Sequence, residues 1–213
     1  MSPDVIYDDD DIVVVDKPAG MIVHSAPGRA ELVLADLLVR RFPQMKSVGS
    51  AERPGVVHRL DVETSGVMVF AKNRKSYLSL RRQFESHKDV AKTYLAVLHG
   101  APRTTTGTID TPVGRDRLSA VTHWTVLGKR NGLSLVEFRI DTGRMHQIRI
   151  HAAALGCPVV GDKTYGSAEK DRKLPRRPAR QLLHAVTLSF LHPSTGERVT
   201  FTSPPPPDIV YSC

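Results

Sequence analysis

The chain has 213 residues, of which 40% are hydrophobic and 24% are charged, ordinary proportions for a soluble globular protein. Its 30 basic and 22 acidic residues give a formal net charge of +8, which favours a polyanionic partner such as nucleic acid or an anionic membrane surface. The two cysteines are too few for a disulfide framework, and no apolar run reaches the roughly 20 residues that span a bilayer. No secretory signal opens the sequence, so these features predict a cytoplasmic protein.

Hydrophobic periodicity predicts strands where apolar or β-branched residues alternate or cluster, and helices where apolar residues recur three and four apart. In chain order we predict a strand at 12–15, a helix at 32–42, a strand at 67–70, a helix at 74–86, strands at 94–98 and 134–140, a helix at 145–155, and strands at 183–190 and 198–201. Asn73 can cap the helix that follows it, and Gly156 can end the helix before it. A basic loop at 172–180 and an extended proline tail at 204–207 are also predicted.

The strands and helices are interspersed without a regular strand–helix alternation, and we find no linker or internal repeat that divides the chain. This order predicts an α+β fold, with a mixed, mainly antiparallel central sheet and flanking helices, rather than a doubly wound sheet. We therefore expect a single domain over residues 1–213.

Spacing argues against two common kinds of ligand site. Residues 156–164 nearly match a nucleotide phosphate loop, but Asp162 stands between the glycine and the lysine and would place a carboxylate beside the phosphates. The four aspartates at 8–11 lack the spacing of a calcium loop and are expected to form a solvated turn. His146 and His151 are five residues apart and would point in different directions on a helix. We expect no metal ion.

Three stretches between apolar elements are dense in hydrogen-bonding side chains, at residues 58–66, 92–94 and 142–151. Each has a structural interpretation when it is taken alone. Asp61 could form an ion pair with Arg59 or Arg149, and Tyr94 could be a core tyrosine.

Together these stretches resemble the pseudouridine synthases of the ribosomal large-subunit synthase A type. The signature of that family is His-Arg-Leu-Asp-x-x-Thr-Ser-Gly, which this chain carries at 58–66 with Asp61 in the catalytic position. Further matches follow in order along almost the whole chain, at residues 16–24, 92–94, 143–151, 161–166 and 180–185. Two departures concern the choice of RNA target. The segment 116–121 is shorter than is usual in the family, and we expect no separate N-terminal RNA-binding domain of the kind that many relatives carry, because so few residues precede residue 10.

The resemblance implies an enzyme that isomerises uridine to pseudouridine within RNA and needs no cofactor. The target base must leave the RNA stack, because its reacting atoms cannot be reached inside a helix. The resemblance assigns Asp61 as the catalytic carboxylate, acting by a nucleophilic or a glycal route. Burial alone raises the pKa of a carboxyl group, so an ionised one needs a cationic partner, and the family gives this role to Arg149. Tyr94 would stack on the uracil and assist proton transfer at C5.

Two further sets of residues are predicted to contact the RNA. Arg59 would enter the space left by the flipped base, and Ile148 and Leu183 would form apolar walls around it. The other expected substrate-binding residues are His58, Thr64, Arg144, His146 and Gln147. Phosphate contacts that make binding salt dependent are predicted for Arg81, Arg82, Arg172, Lys173, Arg176, Arg177 and Arg180.

We expect ribosomal RNA as the first choice of substrate and transfer RNA as the second, and a monomer that binds no membrane. Two other functions fit some of the features. A noncatalytic RNA-binding protein on the same fold explains the charge, but it gives no reason for Asp61, Tyr94 and Arg149 to occur together. A metal-dependent hydrolase built on the acidic turn and the histidines predicts an activity that a chelator abolishes.

Overall fold

A computed structural model describes residues 3–24 and 33–210. The chain forms two compact units, the first from Met1–Ala91 and Thr187–Ser203 and the second from Lys92–Val186 and Pro204–Cys213. In chain order the elements are β1 (Asp4–Asp8), β2 (Ile12–Lys17), α1 (Leu34–Arg41), a 3-10 turn (Pro43–Ser47), β3 (Gly49–Ser50), β4 (Arg53–Pro54), β5 (Ser65–Ala71), α2 (Arg74–Ser86), β6 (Ala91–His99), β7 (Thr106–Ile109), β8 (Thr122–Arg130), β9 (Leu133–Ile140), α3 (Gln147–Ala154), α4 (Ala168–Arg172), β10 (Leu183–Leu191), β11 (Arg198–Thr202) and α5 (Pro207–Val210).

Strands β2 and β5 form the centre of the first unit. They pair antiparallel, from Ile12 opposite Ala71 to Lys17 opposite Gly66. Every residue of β5 is buried, and so are the four apolar residues that begin β2. Both faces of these strands are covered, which is why their sequences are unbroken apolar runs rather than an alternation. Strand β1 pairs antiparallel with β2, and β11 with β10.

Antiparallel ladders also build the second unit, where β9 pairs with β6 on one side and with β8 on the other, and β7 pairs with β8. Burial alternates along the first half of β6, so that Lys92, Tyr94 and Ala96 share its buried face. Tyr94 and Trp124 both lie opposite Phe138 in the register, which places three aromatic rings on neighbouring strands.

The predicted α+β fold with a mainly antiparallel sheet is confirmed. The predicted helix at 74–86 has the expected bounds, and the Asn73 side chain accepts a hydrogen bond from the Ser76 amide at 2.9 Å. The predicted helix at 32–42 is confirmed as Leu34–Arg41, with its first residue outside the described part of the chain. The prediction of a single domain over 1–213 stays a prediction.

Several boundaries were predicted wrongly. The helix expected from Met145 begins only at Gln147, because His146 has a left-handed backbone with a φ of 56°. The basic loop begins inside α4, which extends to Arg172. The proline tail was predicted to be extended as far as Pro207, but Pro207 is the first residue of α5. Ile209 of this helix is buried. The chain-order prediction omitted strands β1, β3, β4, β7 and β8. No helix in the described ranges combines the length and apolar character needed to cross a membrane.

The acidic turn between β1 and β2 is a hydrogen-bonded junction rather than the solvated turn that its composition predicted. Asp9 accepts hydrogen bonds from the amides of Asp11 and Ile12, both at 2.8 Å, and contacts His192 at 2.9 Å. Asp11 accepts from Asn73 Nδ2 at 2.8 Å and from Ser76 Oγ at 2.6 Å. The junction therefore orients the residue that caps α2.

Three side chains of this junction have the chemistry of metal ligands. Single ligand atoms of Asp9, Asp11 and His192 all lie within 4.8 Å of one another. Hydrogen bonds within the protein already occupy these groups, and hydrogen bonds from Ser194 and Ser76, ahead of the opposing effect of burial, lower the pKa of Asp11 to about 2. The cluster is accounted for as a structural junction.

We predict that Asp11→Ala lowers the free energy of unfolding at pH 7 by about 1–3 kcal/mol, since it removes hydrogen bonds to a charged acceptor. The pKa of Asp11 is lowered from 3.8 to about 2 on folding, so its contribution is present above pH 4 and is lost as the pH falls toward 2. Urea denaturation from pH 7 to pH 2 should show the two proteins converging. Asp10→Ala is the matched control, because Asp10 is exposed and should change stability little. A difference that is constant with pH would contradict the prediction.

Candidate active site

Asp61 lies in a turn of the first unit that leads into β5. The Thr64 amide donates a hydrogen bond to the Asp61 carbonyl at 3.1 Å, and both Leu60 and Thr64 are buried on either side of it. The Gly20 amide donates to the carbonyl of the next residue, Val62, at 2.8 Å. The half-buried Asp61 side chain is thus carried by a backbone that is anchored before and after it.

The ammonium group of Lys17 supplies the second anchor. Lys17 is fully buried, and its Nζ donates to the carbonyl oxygens of Pro18 at 2.9 Å, Met21 at 2.9 Å and Val62 at 3.0 Å. Three acceptors match the three hydrogens of an ammonium group, which is the condition for burying a charge at tolerable cost. Lys17 therefore ties the strand end at β2 to the residue that follows Asp61.

The two residues that open the signature differ in exposure. His58 is half-buried, stacks on Phe84 with ring centroids 4.5 Å apart, and accepts a hydrogen bond from the Val69 amide at 3.1 Å. Arg59 is exposed. Both line a pocket of about 580 Å³ within the first unit, where the basic side chains are His24, Arg53, His58, Arg59 and Arg81.

A buried ion pair fixes Arg149 within the second unit. Its Nε donates to Asp162 Oδ2 at 2.7 Å and its second guanidinium nitrogen to Oδ1 at 2.8 Å. The Asp162 side chain is 0% exposed and that of Arg149 is 7% exposed. Burial opposes ionisation of Asp162, but the hydrogen bonds from Arg149 and from the Thr164 and Tyr165 amides lower its pKa below the usual value.

Tyr165 connects this ion pair to His146. The guanidinium carbon of Arg149 lies over the Tyr165 ring, 5.2 Å from its centroid. The Tyr165 hydroxyl is 3.1 Å from Nδ1 of His146, whose ring meets the tyrosine ring edge-on at 5.6 Å. The Tyr165 ring therefore orients both residues: Arg149 packs on its face, and His146 meets it edge-on.

Gln147 has a structural role that its predicted place among the substrate-binding residues did not anticipate. Its side-chain oxygen accepts from Thr142 Oγ1 at 2.7 Å and from the Arg144 amide at 3.0 Å. Its side-chain nitrogen donates to the Val121 carbonyl and to Thr122 Oγ1, both at 2.9 Å. These bonds hold the turn before α3, on which Arg144 is half-buried and donates from Nε to the Ser119 carbonyl.

Apolar and aromatic residues of the predicted site are buried in their units. Tyr94 is 8% exposed on β6, Ile148 5% on α3 and Leu183 4% at the start of β10. Thr64, in the first unit, is 2% exposed. Burial of this kind suits residues that would contact an apolar base face, although it is equally the property of core residues.

The predicted phosphate contacts fall into three groups. Exposed side chains free to meet RNA phosphate from the surface are those of Arg82, Arg172, Arg176 and Arg177. Arg81 and Lys173 are exposed but form i,i+4 ion pairs with Glu85 and Glu169. Arg180 donates from two nitrogens to Asp208 and from a third to backbone carbonyls, so its guanidinium is largely committed within the protein.

Comparison with known proteins decides the family. Residues 11–154 match the family model described as RNA pseudouridylate synthase, which is more than half of the chain. The chain belongs to the RNA pseudouridylate synthase family. The predicted family and enzyme class, an RNA pseudouridine synthase, are therefore confirmed.

Individual relatives extend this match over nearly the whole chain. The uncharacterized RNA pseudouridine synthase YlyB of Bacillus subtilis is 40% identical over 98% of this chain and 71% of its own length. The ribosomal large subunit pseudouridine synthase D of Xanthomonas campestris is 41% identical over 96% of this chain and 66% of its own length. The solved structure of human RNA pseudouridylate synthase domain containing 4 is 28% identical, with a TM-score of 0.79, and the alignment covers 98% of this chain and 91% of that one. This chain therefore spans about two thirds of the length of those bacterial relatives.

Sequence reasoning missed the two residues that position the site within each unit. In the sequence, Lys17 stands out only within a family match, and Asp162 stands out within a family match and as an argument against a phosphate loop. A charged residue that stands between a buried strand or bridge and a glycine turn is the sequence feature that could have indicated each of them. Their partners, Val62 and Arg149, are 45 and 13 residues away in the chain, so no local pattern identifies them.

We predict that Asp162→Asn lowers the free energy of unfolding by about 3 kcal/mol or more, because it removes the buried negative charge that pairs with the Arg149 guanidinium. The matched control is Glu169→Gln, which breaks an ion pair whose side chains are 71% and 69% exposed and should cost less than about 1 kcal/mol. Chemical denaturation of both variants measures the difference. Equal, small effects would show that the Arg149–Asp162 pair is not a major contributor to stability.

Proposed function

We propose that this pseudouridine synthase isomerises specific uridines in structured RNA with Asp61 as the essential carboxylate. The reaction breaks the bond from C1′ to N1 of uracil and forms one from C1′ to C5. C5 loses its hydrogen to solvent while N1 takes up a proton, so atoms and electrons balance without an added cofactor. The single observation that carries the proposal is the family signature at 58–66, with Asp61 on a turn whose backbone is anchored by Lys17, Gly20 and Thr64.

Three side chains are given chemical roles in this proposal. Asp61 acts on the ribose or promotes a glycal route. Arg149 is the guanidinium that favours the charged form of a buried carboxylate, and its rigid attachment to Asp162 supports that role. Tyr94 stacks on the uracil and assists removal of the C5 proton, which its burial on β6 supports.

RNA binding in this proposal uses the surfaces described in each unit. Arg59, in the basic pocket of the first unit, enters the space left by the flipped base. The proposed nucleotide contacts are His58 and Thr64 in the first unit and Arg144, His146, Ile148 and Leu183 in the second. Arg82 and the exposed residues Arg172, Arg176 and Arg177 contact phosphates, which agrees with the net charge of +8.

Ribosomal RNA is the proposed first substrate and transfer RNA the second, with action in the cytoplasm by a monomer. The choice of ribosomal RNA is supported by the similarity to the ribosomal large subunit pseudouridine synthase D of Xanthomonas campestris. Tritium release from separate ribosomal and transfer RNA transcripts distinguishes the two choices, and release from transfer RNA alone would reverse the order.

We predict that Asp61→Asn reduces tritium release from RNA labelled at uracil C5 by at least about a thousandfold, the scale expected for an essential acid–base or nucleophilic group. The assay contains no added metal or cofactor. Asp10→Asn is the matched control, since Asp10 is an exposed carboxylate of the same unit and should leave the rate unchanged.

Equal release by Asp61→Asn and wild type would show that Asp61 is not the catalytic residue. If wild type binds both RNA classes but releases no tritium from either, the protein binds RNA on this fold without catalysing the reaction. Loss of wild-type release on addition of a chelator would instead support a metal-dependent activity.

A further inference from the structure

Lys92 is a buried cation that the proposed chemistry does not use. It lies on the buried face of β6, two residues before Tyr94, and is only 7% exposed. Its ammonium group makes no hydrogen bond or ion pair with any residue in the described ranges. A Cβ placed on the exposed Gly143 would lie 3.4 Å from Lys92 Nζ, so the missing side chain there leaves the ammonium group beside bare backbone.

The other two buried lysines among the described residues donate hydrogen bonds to acceptors inside the protein. Lys17 donates to three carbonyl oxygens, as described above. Lys72 donates to Asp8 Oδ1 at 2.6 Å and to the Asp9 carbonyl, and its Nζ lies 4.7 Å from the centroid of the Phe42 ring. The Lys92 ammonium group has no such acceptors in the described ranges and is not among their fully enclosed unpaired polar atoms, so its hydrogens remain accessible to a ligand from solvent.

The charges around Lys92 sum to an excess of positive charge. The groups that act on it electrostatically are the Asp141 carboxylate and the Arg144 guanidinium, both on the segment that joins β9 to α3. Asp141 is exposed and already contacts His123 at 2.8 Å. Burial lowers the pKa of Lys92 to about 8, with Asp141 opposing and Arg144 adding to that change. Two cations therefore share one carboxylate, and an anion is the ligand that would complete the cluster.

We propose that Lys92 is a substrate-binding residue whose ammonium group, approached beside Gly143, binds a phosphate of the RNA. The inference rests on the proposed function only for the identity of the anion as RNA. A phosphodiester supplies both the negative charge that the cluster lacks and oxygen acceptors for the unused hydrogens of Lys92. A uracil carbonyl could accept a hydrogen bond but would leave the excess charge uncompensated.

The first test compares stability and function in Lys92→Met, which keeps the length of the side chain and removes the charge. A residue retained for binding should leave the folded state no less stable when it is replaced by an apolar one. We expect the urea midpoint of Lys92→Met to equal or exceed that of wild type, while KM for an RNA that wild type modifies rises about tenfold with kcat unchanged.

Lys17→Met is the matched control, because it removes a buried ammonium group whose three hydrogen bonds are made within the protein. It should lower the urea midpoint by leaving three carbonyl oxygens unsatisfied. If Lys92→Met destabilises the protein to the same extent as Lys17→Met, Lys92 is a structural residue and the proposal is wrong.

Salt and pH identify the ligand. Loss of one phosphate contact should reduce the slope of log KM against log salt concentration by about one in Lys92→Met. In wild type, KM should rise between pH 7 and pH 9 as Lys92, whose pKa is about 8, loses its proton. Lys92→Met should lack this rise, and Lys92→Arg should retain tight binding across the range because a guanidinium stays charged.

A fall in kcat with an unchanged salt slope would place Lys92 against the uracil instead of a phosphate and would overturn the proposal. If wild type releases no tritium, direct RNA binding by wild type and Lys92→Met separates the two failures. If the variant binds RNA more weakly and with less salt dependence, the Lys92 site is supported although the proposed reaction fails. If the two proteins bind equally, both the Lys92 site and the proposed reaction are rejected.

Discussion

The conformation of the turn that carries Asp61 depends on the hydrogen bonds of the Lys17 ammonium group. Residues 18–21 and 62 belong to no strand or helix, so their carbonyl oxygens have no ladder partners to fix them. One buried cation satisfies three of these oxygens at once and replaces the missing secondary structure. The turn that carries Asp61 can therefore be rigid while keeping a backbone path that neither a helix nor a strand would allow.

In the second unit, side-chain contacts also hold irregular backbone and a charged residue in fixed positions. Arg149 is held by a buried carboxylate and an aromatic ring, and Gln147 uses its whole amide to hold the turn before α3. Polar groups are buried throughout this region, yet nearly every one described above has partners inside the protein. Among the charged groups described for this unit, Arg149 has a carboxylate partner inside the protein and Lys92 has none at hydrogen-bond distance in the described ranges, which is why an external anion is proposed for Lys92.

Local signals predicted the elements whose sequence has a strong period or a clear boundary. The strand at 12–15 and the helix at 74–86 are examples, since β-branched residues and an Asn cap act within a few residues. The start of α3 was wrong because the left-handed backbone of His146 is imposed by its surroundings rather than by its side chain. The family signature identified Asp61, but the partners of Lys17 and Asp162 follow from tertiary packing. Residues 13 and 45 positions apart in the chain share no local sequence pattern from which these contacts could be predicted.

Two glycines of the segment 161–166 limit how this protein could be re-engineered. A Cβ on Gly161 would overlap the carbonyl oxygen of Arg180, and one on Gly166 would overlap that of Asp162. Any side chain at either position would displace backbone that carries the acceptor of Arg149, so libraries that vary this segment would yield mostly inactive protein whatever RNA they were meant to select. Diversification toward new targets is better directed to the residues of 115–119, which are all exposed, leaving Arg117 unchanged because its backbone has a positive φ of 47°.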